Sequence, residues 1–226
     1  MFLVEGIKNV DALLRSDYTI ERIFATEPWL ERNRKYEQNT AITKLNDATL
    51  ERISAQINPE QVLAISKTKS EHFDINAIAD KVILLLDGIN DPGNLGTIIR
   101  TADWFGVKKI VCSKHTVDCY NPKVVHSAMG SLFTSNIYYE NLEAAITKLK
   151  QNRKHKVYAT ALNGTDVKQI SFEGKSAIVI GSESHGINTA ILKICDKLIS
   201  VKSAGMSQAE SLNAGVATGI VLHCIR

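Results

Sequence analysis

The 226-residue sequence predicts an α/β protein, with a doubly wound parallel sheet in its later part and a smaller α/β module before it. Three observations carry this reading. Short apolar runs, residues 82–86 and 177–180 among them, have the composition of strands buried on both faces. Between such runs apolar residues return at helical spacing, so strands and helices alternate along the chain. A stretch with no apolar residue, 66–72, separates this alternation from a shorter one before it and reads as a linker.

In the first module, residues 20–25 and 62–65 read as strands. Asn46, followed by early acids, opens a helix, and Pro28 starts another near Glu27. The division that follows is residues 1–68, a linker over 69–76, and residues 77–226. Beyond the linker, strand 82–86 ends in a polar turn, and a helix runs from Leu95 to Phe105 with Asn94 as cap and Gly106 as stop. The alternation continues with strand 109–112, a helix opening at Asn121-Pro122, strand 136–139, helix 141–151 and strands 157–161 and 177–180. It closes with helix 187–195, strand 198–201 and a last helix over 210–225. That last helix carries no charge after Glu210 until Arg226 and is rich in Ala and Gly, which predicts burial on every face, partly against a second subunit.

Composition is that of an ordinary globular protein. No signal peptide is visible and no apolar run approaches the roughly 20 residues of a membrane span, so a cytoplasmic protein without a membrane partner is expected. The four cysteines lack a paired spacing and suit reduced thiols. Cys112, His115 and Cys119 are close in sequence but have no evident fourth ligand, so no metal site is expected. The net charge of +3 is weak, and the first seventy residues hold ten basic against ten acidic side chains, so charge alone does not signal nucleic acid. The turn after Leu86 lacks Gly-x-Gly-x-x-Gly, which excludes the common dinucleotide fingerprint. Gly174-Lys175-Ser176 is no phosphate loop, because Gln169 stands where the earlier glycine belongs and a strand follows.

Three segments carry the chemistry. Residues 87–106, DGINDPGNLGTIIRTADWFG, put Asn94 and Arg100 just past the carboxyl end of a strand, where open α/β sheets bind ligands. Residues 178–187, IVIGSESHGI, are a strand and a polar turn bounded by Gly181 and Gly186, with Glu183 between them. Residues 198–213, LISVKSAGMSQAESLN, lead from a strand through a loop to Ser211-Leu212-Asn213. Taken alone, each is also an ordinary strand-turn-helix unit with capping residues.

In this order the three segments resemble the motifs of the SpoU/TrmH family of RNA ribose methyltransferases. Asn94, Gly96 and Arg100 match the first, Gly181, Glu183 and Gly186 the second, and Ser211, Leu212 and Asn213 the third. Ser182 and Ser184 stand where Asn and Gly are common, and Val201-Lys202 replaces Ile-Pro. Residues 2–10 likewise resemble the opening of the ribosomal-protein-like (L30e-like) RNA-binding domain of many members. The resemblance implies a deep trefoil knot in the catalytic domain, S-adenosyl-L-methionine as cofactor, ribosomal or transfer RNA as partner, and a homodimer through that domain. It places the cofactor against Ala161, Leu162, Gly181, Glu183, Gly186, Val201 and Leu212, largely through backbone groups. It gives Arg100 the acceptor hydroxyl, as base or as a cation beside the developing alkoxide, with Asn94, Glu183, Ser211 and Asn213 as positioning groups. The departures leave two alternatives open: an inactive RNA-binding or ribosome-assembly factor of the same fold, and a methyltransferase acting on a base nitrogen.

Overall fold

The computed structural model describes residues 1–36, 41–69, 73–74, 80–205 and 208–225. Its first part folds as β1 (Phe2–Glu5), α1 (Ile7–Leu14), β2 (Ile20–Ala25), α2 (Glu27–Arg32), β3 (Ile42–Lys44), α3 (Asp47–Ile53) and β4 (Val62–Ser66). The second part runs β5 (Val82–Asp87), α4 (Pro92–Trp104), β6 (Lys109–Ser113), α5 (Pro122–Ala128), β7 (Asn136–Glu140) and α6 (Leu142–Arg153). It ends with β8 (Lys156–Asp166), β9 (Ser176–Gly181), α7 (Thr189–Ile194), β10 (Lys197–Ser200) and α8 (Ala214–Cys224). β1, α1 and β3 have no counterpart in the sequence reading, and most of the expected linker, residues 70–72 and 75–76, lies outside the described residues.

The later strands form one sheet in the order β10-β8-β9-β5-β6-β7, every neighbouring pair parallel. Ile83, Leu84, Leu85 and Leu86 of β5 are all fully buried, because helices cover both faces of this central strand. The first part forms a second sheet, β1-β4-β2-β3, antiparallel except for the β2–β3 pair.

The two sheets share a continuous apolar core, which the apolar-free stretch between them did not suggest. At the junction Phe2 packs on Tyr120 with ring centroids 4.5 Å apart, and Tyr18 meets Phe133 edge-on at 5.4 Å. Gln56 Nε2 lies 3.1 Å from His126 Nδ1. Gly130, at φ 91°, has no room for a side chain, since a Cβ there would stand 2.7 Å from the Cβ of Ala12.

Two expected features require correction. Asn94 does not cap α4. Asp91 does, accepting the Asn94 N–H at 2.8 Å, with Pro92 at the first helical position, where its missing N–H costs nothing. The last helix begins at Ala214 and not at Glu210, since Asn213 caps it by accepting from the N–H groups of Gly215 and Val216. Within the single chain that helix buries only part of its surface: Val221 is buried, whereas Val216 is 51 % exposed.

Candidate active site

The ladder between β8 and β10 breaks where the site forms. Leu198 pairs with Ala159, but the next residue, Ile199, pairs with Thr165, so residues 160–164 bow out of register. Those five residues have no paired partner in the β10 register, and Leu162 C=O accepts from Ser200 Oγ and Lys202 Nζ. Beneath the bow the strands stay close, because Gly164 lies against Ile199: a Cβ there would come within 2.6 Å of the Ile199 nitrogen.

The bow forms one wall of a cavity of about 370 Å³ at the carboxyl edge of the sheet. Ala161 and Leu162 line it from β8, and Val201 from the end of β10. Gly181, Glu183 and Gly186 line it from the loop after β9, and Ser211 and Leu212 from the approach to α8. Gly181 has to be glycine for packing: a Cβ would overlap the Gly186 carbonyl and stand within 2.6 Å of the Ile187 nitrogen. The loop therefore folds back on its own strand, and a Ser182–Gly186 bridge closes it.

One carboxylate ties three segments together beside this cavity. Glu183 Oε1 accepts from Asn94 Nδ2 at 2.6 Å, Asn213 Nδ2 at 3.2 Å and the Ala214 N–H at 2.9 Å. Asn213 Nδ2 also donates to Asn94 Oδ1 at 2.7 Å. A carboxylate at the N-terminus of α8 is favoured by the helix dipole as well as by its three donors. The displaced cap matters here: since Asp91 holds the start of α4, the Asn94 side chain is free to reach across to the other two segments.

Arg100 lies elsewhere. It is exposed on α4, does not line the cavity, and makes no hydrogen bond or ion pair among the described residues. Gly96 of the same motif serves helix packing, since a Cβ would stand 2.8 Å from the Val124 carbonyl of α5. Thr160, Ser200 and His185 also line the cavity, and the sequence reading singled out none of them. His185 had the one available signal, its position between the two glycines of the second motif. Its Nδ1 lies 2.8 Å from Ser184 Oγ. Among the described residues no group of His, Cys, Asp or Glu is placed to hold a metal ion, and no helix is long and apolar enough to cross a membrane.

A parallel α/β sheet with a ligand cavity at its carboxyl edge, closed by a loop that three motif residues hold in place, defines a class of ligand-binding α/β domain. Comparison with known proteins gives the family. Residues 81–223 match the SpoU rRNA Methylase family and residues 1–64 match the MRM3-like substrate binding domain. The chain belongs to the SpoU rRNA methylase family. It is 34% identical over 228 residues to the 23S rRNA (guanosine(2553)-2'-O)-methyltransferase RlmP of Bacillus subtilis, with 100% of this chain and 88% of that protein covered. It is 26% identical to the 23S rRNA (uridine(2479)-2'-O)-methyltransferase of Streptomyces viridochromogenes, across 100% of this chain and 82% of that one. The crystal structure of an AdoMet-bound rRNA methyltransferase from Sinorhizobium meliloti superposes with a TM-score of 0.86 at 28% identity, over 100% of this chain and 86% of that chain.

Proposed function

We propose that this protein transfers a methyl group from S-adenosylmethionine to a ribose 2′-hydroxyl of ribosomal or transfer RNA. The observation that carries the reading is the Asn94–Glu183–Asn213 cluster, which joins all three motif segments at the rim of the cavity. The cavity suits the cofactor because the 160–164 bow leaves the β10 register beside it, where backbone can approach an adenine edge, and Gly181 keeps the loop thin. Ala161, Leu162, Gly181, Glu183, Gly186, Val201 and Leu212 would hold it. When bound, the sulfonium supplies an electrophilic methyl group.

The chain's own residues do the rest. Glu183, Asn94 and Asn213 fix the loop against α4 and α8, so that two ligands meet in one geometry. Ser211 stands at the cavity wall, within the segment that Asn213 anchors. Arg100 faces solvent and is thus available to the acceptor; its exposed setting favours a cation steadying a phosphate or the developing alkoxide over a general base.

Residues 1–68 serve in this reading as an L30e-like RNA-reading domain, 69–76 as the connection and 77–226 as the catalytic domain, in keeping with the two family matches. A trefoil knot in the catalytic domain belongs to the same reading and rests on the family match over residues 81–223. Pairing of two copies through the catalytic domain is supported by apolar side chains on the outer faces of α4 and α8, where Trp104 is 80 % and Val216 51 % exposed. Four free cysteines suit the cytoplasm.

The test is to incubate the full-length protein with labelled cofactor and total RNA from cells lacking the active gene, then digest the RNA to nucleosides and weigh the products. Ribose-methylated nucleosides are expected. Arg100→Ala should lower transfer to below a tenth of wild type while cofactor affinity falls less than tenfold. Base-methylated products, or none, would overturn the reading.

A further inference from the structure

The loop from Ser182 to Gly186 has a second face, and a second cavity of about 230 Å³ lies against it. Ser182, His185 and Gly186 line both cavities, so one short loop is the partition between them. The remaining wall of the second comes from the carboxyl ends of the next two strands: Asp87, Gly88 and Asn90 after β5, and His115 after β6, with Asn188 completing it.

The chemistry of this lining narrows the ligand. No lysine or arginine lines the cavity and Asp87 does, which disfavours a phosphate. No group of His, Cys, Asp or Glu among the described residues is placed to hold a metal ion. The lining residues other than the glycines all carry polar side chains, and these can fix the orientation of a ligand that also meets carbon surface there. Several hydrogen-bonding groups are uncommitted among the described residues. Asp87 spends Oδ2 on the Asn188 N–H at 2.8 Å, leaving its other oxygen. Asn188 spends Oδ1 on the Ala190 N–H and keeps its amide donors. His185 is engaged at Nδ1 by Ser184, leaving Nε2. Among the described residues the side chains of Asn90 and His115 make no hydrogen bond.

Donors and acceptors of both kinds, without a net cationic field, match the edge of a neutral heterocycle. Two bare peptide surfaces add to the match. Gly88 and Gly186, at φ 64° and 65°, have nothing within 4 Å of where a Cβ would stand, so a flat ring can lie against the backbone there. Unpaired RNA bases are read in this way, splayed from their stack and hydrogen-bonded along an edge.

We propose that the second cavity receives the base of the nucleotide whose ribose is methylated, and that Asn90 and His115 select which base is accepted. This rests on the first cavity being the methyl-donor site. A nucleotide with its base on one side of the 182–186 loop presents its ribose at the rim, towards the other side. Selection then comes from groups left unpaired by the wrong base, which is the mode of discrimination that polar sites perform best.

The experiment has two stages. The full-length protein first methylates ribosomal RNA from cells lacking the active gene, and the modified position is mapped. A transcript spanning that position is then made with each of the four bases at the target, and kcat/KM is measured for wild type, Asn90→Ala and His115→Ala. Wild type should prefer one base by about a hundredfold or more, and each variant should narrow that preference at least tenfold. Cofactor affinity by calorimetry should stay within twofold for both, and His115→Gln should recover part of the preference. Both side chains are exposed, and thermal melts confirm that the variants fold. If the variants keep the full preference, or if wild type accepts all four bases equally, the base site is overturned while methyl transfer stands. If wild type methylates no RNA, the donor-site reading fails first and this one with it.

Discussion

Gly181→Ala is the smallest change that addresses the cavity directly. The residue sits where β9 ends, and the added methyl would overlap the Gly186 carbonyl and approach the Ile187 nitrogen to 2.6 Å. Both neighbours are backbone, so no side chain can swing aside and the 182–186 loop itself must move. Forced overpacking of this kind costs about 1–3 kcal/mol. For a chain of this length each kcal/mol lowers Tm by roughly 2–4 °C, so a fall of about 2–12 °C is expected in differential scanning calorimetry. Since the loop lines the cavity, titration with S-adenosylmethionine should show a loss of affinity of tenfold or more. Gly174→Ala is the control: at φ 71° it carries backbone strain, but its Cβ meets nothing within 4 Å and it lies away from the cavity. It should lower Tm by a comparable few degrees through about 1 kcal/mol of strain and leave the affinity unchanged. A Gly181→Ala protein that binds cofactor like wild type would refute the packing argument.

Three further outcomes follow from the geometry. Removing residues 1–68 should leave a chain that aggregates, because the contacts of Phe133 and Tyr120 with Phe2 and Tyr18 are lost and each stripped aromatic gives up about 2 kcal/mol of burial; a monodisperse, cooperatively melting fragment would contradict this. Burial pushes the carboxyls of Asp103 and Asp196 up, but hydrogen bonds from Lys108, Ser131 and Thr134 to the first, and from Lys150 and the Val157 N–H to the second, outweigh it and hold both below the usual range. Folded carboxyls that bind protons less readily than unfolded ones add stability above about pH 4 and lose it as pH falls through their lowered values, so Tm should drop less steeply below pH 4 in Asp196→Asn than in wild type. Val216→Glu should yield monomers in sedimentation equilibrium without loss of fold, whereas Val221→Glu should unfold the chain, since Val221 is wholly buried within it.

The parallel sheet was legible in the sequence because its strands are apolar on both faces and its helices are periodic. β1 and β3 were not, since a strand of four residues or fewer in a mixed sheet leaves almost no periodicity to read. The junction between the two sheets escaped for a different reason. Residues 66–72 carry a linker's composition, but packing across a junction depends on which surfaces meet, and the partners of Phe2 and Tyr18 lie more than a hundred residues away in the chain. The strand ends that bring the cavity together were likewise readable only as motifs. The bow in β8 comes from a register shift against β10, and no pattern within residues 156–166 announces that.

Asn94 shows what a misplaced helix start conceals. Reading the helix from its first apolar residue made Asn94 a local cap, a role in which its side chain would be spent within its own turn. The apolar pattern could not locate the start, because Pro92 and Gly93 carry no periodic signal although they form the first turn. With Asp91 as cap, Asn94 turns outward as both donor and acceptor, and its amide satisfies Glu183 while accepting from Asn213. A carboxylate could not take that place: it would lack the donor that Glu183 requires and would bring a second negative charge beside the first. Asn94→Asp should therefore disturb the cluster more than Asn94→Ala, although Asp is the closer match in shape. Cofactor affinity and Tm measured for the pair decide the matter, and an aspartate variant milder than the alanine would show that the Asn94–Glu183 bond contributes little to holding the loop.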